Sequence, residues 1–102
     1  MRQNRFDRIF LTVPVEPSFL FRLREENVNL SELAELGIHL LRHFENGRSC
    51  FFTSETERIS ASFFIQETSY LQICSYCLRC SRPIYSVMEE VLQNAYLESY
   101  LL

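Results

Sequence analysis

Apolar positions along the chain change their period several times, and each change marks an element. Arg8–Val15, RIFLTVPV, alternates: Ile9, Leu11 and Val13 point one way and Arg8, Phe10, Thr12 and Pro14 the other, the period of a half-buried strand. Pro14 donates no backbone hydrogen bond, so this strand ends near it or lies at an edge. Glu16-Pro17-Ser18 then gives a helix-entry signal, and Phe19, Leu20 and Leu23 form the apolar face of a helix about ten residues long. Asn27 to Asn29 breaks it. A second helix is predicted from Leu30 to about Asn46, with Asn29 as cap, Glu32 completing a capping box and Gly47 as the stop. Its apolar stripe comprises Leu33, Leu36, Leu40, Leu41 and Phe44.

The second half is less decided. Ser49–Thr53 reads as a short strand, and Ser54-Glu55-Thr56-Glu57 as a capping box opening a third helix. Ile59, Phe63, Glu67, Tyr70, Cys74 and Cys77 fall on one helical face, yet ISASFFI over 59–65 also alternates, and periodicity leaves both readings open. Pro83 starts a last helix, with Ser81 in the cap region and a stripe of Ile84, Val87, Met88, Val91, Leu92 and Ala95. No internal repeat is visible. One strand with two short helices makes a poor globule unless a second copy completes it.

Composition narrows the class. In 102 residues, an apolar fraction of 47% with nine Phe and five Tyr supplies a core, which argues against disorder. Two Gly and three Pro favour helices over a loop-rich scaffold. The net charge of −3 is unevenly spread: Arg2, Arg5 and Arg8 against Asp7 leave residues 1–15 at +2, and the rest at −5. A basic arm on an acidic body fits a chain whose N-terminus meets an anionic partner, and equally a frayed, soluble terminus. All ten basic residues are Arg, whose planar fork suits phosphate and guanine. No signal peptide or spanning segment is seen, which places the expected location in the cytoplasm, with thiols reduced.

The string VNLSELAELGIHLL resembles the second-helix signature of ribbon-helix-helix proteins, the Arc, MetJ and CcdA type of repressor and antitoxin. Asn29, Ser31, Glu32, Leu33, Gly37 and Ile38 occupy the signature places, and RIFLTVPV sits where the family has its ribbon. The similarity covers about residues 6–46. It implies a mainly α fold, an intertwined homodimer whose N-terminal strands pair antiparallel between chains, and a major groove as the ribbon's seat. Residues 1–47 would form the dimerisation and DNA-binding module with its basic arm. Residues 48–102 would be a helical extension for packing, oligomerisation up to a tetramer, or protein partners. The implied DNA contacts are Arg8, Phe10 and Thr12 on the outward strand face, Arg2 and Arg5 on the backbone, and Asn29 and Ser31 where the second helix's N-terminus would hold a phosphate. Phe10 stands where the family presents a polar reader.

Other constellations are weaker. His39 and His43 are four apart, and Cys74, Cys77 and Cys80 form CxxCxxC with Cys50 as a fourth thiol, a set able to ligate zinc. The run lies in an apolar helical stretch without the second Cys pair or turn of a zinc knuckle, so core thiols are the simpler account and no cofactor is expected. No phosphate loop, nucleophile elbow or catalytic triad is signalled, and Asp7 is the only Asp. Nothing points to an enzyme. The expectation is a dimeric DNA-binding regulator, a repressor, with an antitoxin or helical protein-interaction module as the alternative.

Overall fold

The computed structural model describes residues 8–41 and 57–101. In order these form β1 (Arg8–Val15), α1 (Pro17–Glu25), α2 (Leu30–His39), β2 (Ile59–Gln66), α3 (Glu67–Cys80), α4 (Ile84–Tyr96) and a terminal π-helical turn, Leu97–Leu101. Among the described residues the chain is mainly helical, with a two-stranded sheet. β1 pairs antiparallel with β2 of the same chain, Arg8 opposite Gln66 and Val15 opposite Ile59. The pairing expected between two chains is therefore made within one. The second half is not a wholly helical extension: its described part includes a strand, β2, that meets β1's backbone hydrogen-bonding groups. The alternation of ISASFFI marked that strand. The helix start expected near Ser54 lies outside the described residues; 59–66 is strand rather than helix, and the next described helix starts at Glu67. α2 ends at His39, where Leu40 forms its C-cap, short of the expected end near Asn46. The expected strand at 49–53, Phe44 and Gly47 lie outside the described residues.

The order strand, helix, helix thus occurs twice. Each pair of helices is separated by the same device. α1 ends with Asn27 in the left-handed region (φ 56°), Val28 N–H donating to the Leu23 carbonyl at 2.9 Å and Asn27 N–H to that of Arg24 at 3.1 Å. α3 ends with Ser81 likewise (φ 57°), and Arg82 N–H donates to Cys77 at 3.1 Å. Such six-to-one bonds satisfy carbonyls left open at a helix end, and polar Asn and Ser stand where Gly is the usual choice. Asn27 and Ser81 each lie two residues before the cap position of the next helix, Asn29 and Pro83. Ser81 therefore terminates α3 rather than capping α4.

The first helix of each half starts directly from its strand. Glu16 caps α1, its carboxylate accepting from Ser18 N–H at 3.1 Å and Phe19 N–H at 3.3 Å, with Pro17 in the first turn where its missing N–H costs nothing. The Ser18 hydroxyl also donates to this carboxylate, which lowers the Glu16 pKa. Asn29 caps α2 through a 3.1 Å bond from Glu32 N–H, the capping-box contact read from sequence.

One apolar core draws on both halves: Val13 and Val15 of β1, Phe19 and Leu23 of α1, Ala61, Phe63 and Ile65 of β2, Ile73 of α3, and the facing sides of α2 and α4. The stripe of α2 is rotated from expectation. Ala34, Gly37 and Ile38 are buried with Leu33, whereas Leu36 is half-buried. The reason is the close crossing of α2 on α4. A Cβ built on Gly37 would lie 2.6 Å from the Val91 carbonyl oxygen and collide with Val91 Cγ1, so only hydrogen fits there. Gly37 is the eighth residue of α2 and Val91 the eighth of α4. The buried face of α2 packs on α4 of the same chain. No described helix is long and apolar enough to cross a membrane.

Candidate nucleic-acid interface

Because β1 and β2 alternate in phase, the ribbon has one dry and one wet face. Ile9, Leu11, Val13 and Val15 pair with Ile65, Phe63, Ala61 and Ile59 toward the core. Arg8, Phe10, Thr12 and Pro14 face outward opposite Gln66, Phe64, Ser62 and Ser60, and all eight are exposed. Arg8, Phe10 and Thr12 are thus brought together on the face read from sequence. The β2 contribution, Ser60, Ser62, Phe64 and Gln66, was not among the expected site residues, although its alternation was the available signal.

Cross-strand contacts organise this face. Thr12 Oγ1 and Ser62 Oγ share a hydrogen bond at 3.0 Å. Phe10 and Phe64 stack with centroids 5.0 Å apart and planes tilted by 55°, and the Arg8 guanidinium carbon lies 5.3 Å from the Phe64 centroid. Phe10 is 58% and Phe64 45% exposed, so the rings shield each other but remain open to a ligand. The guanidinium thus lies over the ring within cation–π range. One end of the ribbon is therefore cationic and aromatic, its middle carries hydroxyls, and its other end carries Pro14 and Ser60.

The second helices hydrogen-bond to the outer edge of β2 and to Glu16 just past β1. Ser31 Oγ accepts from Phe64 N–H at 3.0 Å, and Glu35 accepts from Gln66 N–H at 2.6 Å and from the Ser69 hydroxyl at 2.5 Å. On the other edge Glu89 of α4 accepts from Glu16 N–H at 3.0 Å and pairs with Arg58 at 2.5 Å. Pro14, at the β1 position matching Phe64, has no N–H needing an acceptor, and the α4 residue matching Ser31 is Tyr85. On β2 these bonds blunt an edge that would otherwise offer pairing to another chain.

Two expected phosphate contacts therefore have structural duties. Asn29 caps α2 and Ser31 bonds the ribbon edge, while a groove beside them is lined by Arg8, Glu32, Glu35 and Gln66, a mixed-charge surface rather than a cationic one. Arg2, Arg5, His43 and Cys50 lie outside the described residues. His39 is exposed beside Gln72 and Ser69. Among the three described thiols Cys74 is half-buried, Cys77 buried and Cys80 exposed, and burial, then the neighbouring Cys74 and Cys80, pushes the Cys77 thiol pKa up. Among the described residues no group of three or more His, Cys, Asp or Glu stands together as a metal-holding set. No family model, curated protein or solved structure was found to match this chain.

Proposed function

We propose that this protein binds duplex DNA through the outward face of the β1–β2 ribbon, in the manner of ribbon-helix-helix proteins, and acts as a transcriptional repressor. The observation that carries the reading is the set of hydrogen-bonding groups Arg8, Thr12, Ser62 and Gln66, placed on either side of the Phe10–Phe64 pair on one exposed face of a two-stranded ribbon. A major groove admits an element of this width. Arg8 is suited to guanine O6 and N7, Gln66 to adenine, and the Phe10–Phe64 pair to thymine methyl groups. Both halves of the ribbon come from one chain, so DNA binding requires no second copy. Arg2 and Arg5 belong to the same reading as backbone contacts.

The test is fluorescence anisotropy with a pool of random duplexes across a salt series. Duplex binding that weakens steeply with salt, and that weakens further in Arg8→Ala, is the expected result. The exposed Phe10–Phe64 pair also favours a second reading, a protein-binding antitoxin or adaptor that docks on this ribbon. Retention of one stoichiometric protein and of no duplex favours that reading.

A further inference from the structure

The two halves correspond position by position. Thr12 and Ser62 face each other across the ribbon and each lies four residues before the cap of its half's first helix, Glu16 or Gln66. The eighth residues of α2 and α4, Gly37 and Val91, meet at the helix crossing. The sixth, Glu35 and Glu89, each accept from the backbone N–H of the cap residue in the opposite half. A two-fold relation running through the Thr12–Ser62 pair and the Gly37–Val91 crossing accounts for all three.

The side chains on the outward face break that symmetry. Under the same correspondence Phe10 matches Ser60, Pro14 matches Phe64 and Arg8 matches Arg58. Arg8 lies over Phe64 at the ribbon end, whereas Arg58 pairs with Glu89 beneath the edge. On one side of the axis the ribbon presents Arg8, Phe10, Phe64 and Gln66, and on the other Pro14 and Ser60. A dimer of identical chains presents the same side chains to both half-sites and so matches a palindrome. This ribbon presents two different sets.

We infer that a single chain reads a non-palindromic duplex site, its Arg8–Phe10–Phe64–Gln66 end and its Pro14–Ser60 end facing unlike half-sites. The inference rests on the DNA-binding reading above. Phe10 and Phe64 then fix the orientation of the protein on its site, because turning it end for end would set both rings over the half-site that suits Pro14 and Ser60.

The test is selection of the full chain against random duplexes, followed by native mass spectrometry of the selected complex. A non-palindromic motif with one chain per duplex is expected. Phe10→Ala should weaken preference by roughly tenfold at one end of the motif only, and Ser60→Ala should act only at the other. Phe10 is mostly solvent-exposed, so its truncation leaves the core intact. A palindromic motif, or two chains on each selected site, overturns the inference while leaving DNA binding in place. No enrichment of any duplex overturns the DNA-binding reading itself, and this inference with it.

Discussion

Glu35 and Glu89 do the same work in opposite halves of the chain. Each is the sixth residue of its helix, and each accepts a hydrogen bond from the backbone N–H that opens the other half's first helix, at 2.6 Å for Gln66 and 3.0 Å for Glu16. Their surroundings differ. Glu89 is buried and also takes up Arg58 and, at 3.5 Å, the Gln93 amide, whereas Glu35 is half-buried and its second partner is the neutral Ser69 hydroxyl. Removing one member of a buried ion pair costs about 3–5 kcal/mol, and the partial exposure of Arg58 lowers that to about 2–3 kcal/mol for Glu89→Ala. Glu35→Ala should cost about 1 kcal/mol. Urea denaturation of both variants checks the order. Equal costs would mean that the Arg58 pair contributes nothing.

The α2–α4 crossing leads to a substitution whose sign is opposite to helix propensity. Gly37→Ala in an exposed helix would gain about 1 kcal/mol. Here the added methyl would meet the Val91 carbonyl oxygen and side chain. Overpacking of this kind costs about 1–3 kcal/mol, and backbone cannot move aside as a side-chain tip can. The expected net effect is destabilisation, with Gly37→Leu worse. Val91→Ala in the Gly37→Ala background should recover part of the loss, because it clears the Cγ1 contact and leaves the carbonyl. Thermal unfolding of the three variants reads this directly.

Tyr96 links the end of α4 to the end of α1. Its ring is buried edge-on to Phe19, with centroids 5.8 Å apart, and its hydroxyl bonds the Glu26 carboxylate at 2.9 and 3.0 Å. Burial, and then the Glu26 hydrogen bond, raises the phenol pKa above its ordinary value of 10.0. A group that holds its proton more tightly when folded stabilises the fold fully below its unfolded pKa. It loses that contribution as pH rises through the folded one. Stability should therefore fall above about pH 10, and Tyr96→Phe should make the alkaline fall shallower while costing about 1 kcal/mol at neutral pH. Tyr70 and Tyr76 are shifted the same way, so the variant flattens the limb without abolishing it. Denaturant midpoints from pH 7 to 11 supply the comparison.

On the ribbon face, Arg8→Ala should weaken duplex binding by about 1–3 kcal/mol, the range of one good base contact, and leave the melting temperature nearly unchanged. Thr12→Ala should have a smaller effect, since its hydroxyl is shared with Ser62. Anisotropy titrations beside melting curves separate the two effects. A loss of binding that tracks a loss of stability would assign Arg8 a structural part.

Much of this fold was legible because its signals are local. Alternation gave β1 and its outward face, the Glu16–Pro17 start and the Asn27 break bounded α1, Asn29 with Glu32 set the start of α2, and Pro83 marked α4. What stayed hidden was the duplication. Over the first ten residues of α2 and α4, Glu35 and Glu89 are the only identical pair. The halves keep a pattern of burial rather than of residues: Leu33 and Val87, Ala34 and Met88, Ile38 and Leu92 fill matched places with different shapes. Gly37 fitted the family resemblance, but its partner Val91 is a residue that no motif marks. The β2 half of the ribbon face was missed for a related reason, since ISASFFI satisfies strand and helix periods alike until its pairing with β1 decides.

The single-chain, non-palindromic reading of the ribbon depends on β1 and β2 pairing within one chain. Thr12 and Ser62 sit directly opposite, with their hydroxyls 3.0 Å apart, and Cα separations across paired strands suit a disulfide. The decisive measurement is the mass of a Thr12→Cys, Ser62→Cys double variant after mild oxidation, taken by non-reducing mass spectrometry with peptide mapping. A 12–62 link in a species of single-chain mass is the expected result. The same link found in a covalent dimer would contradict it, and would return the ribbon to two chains.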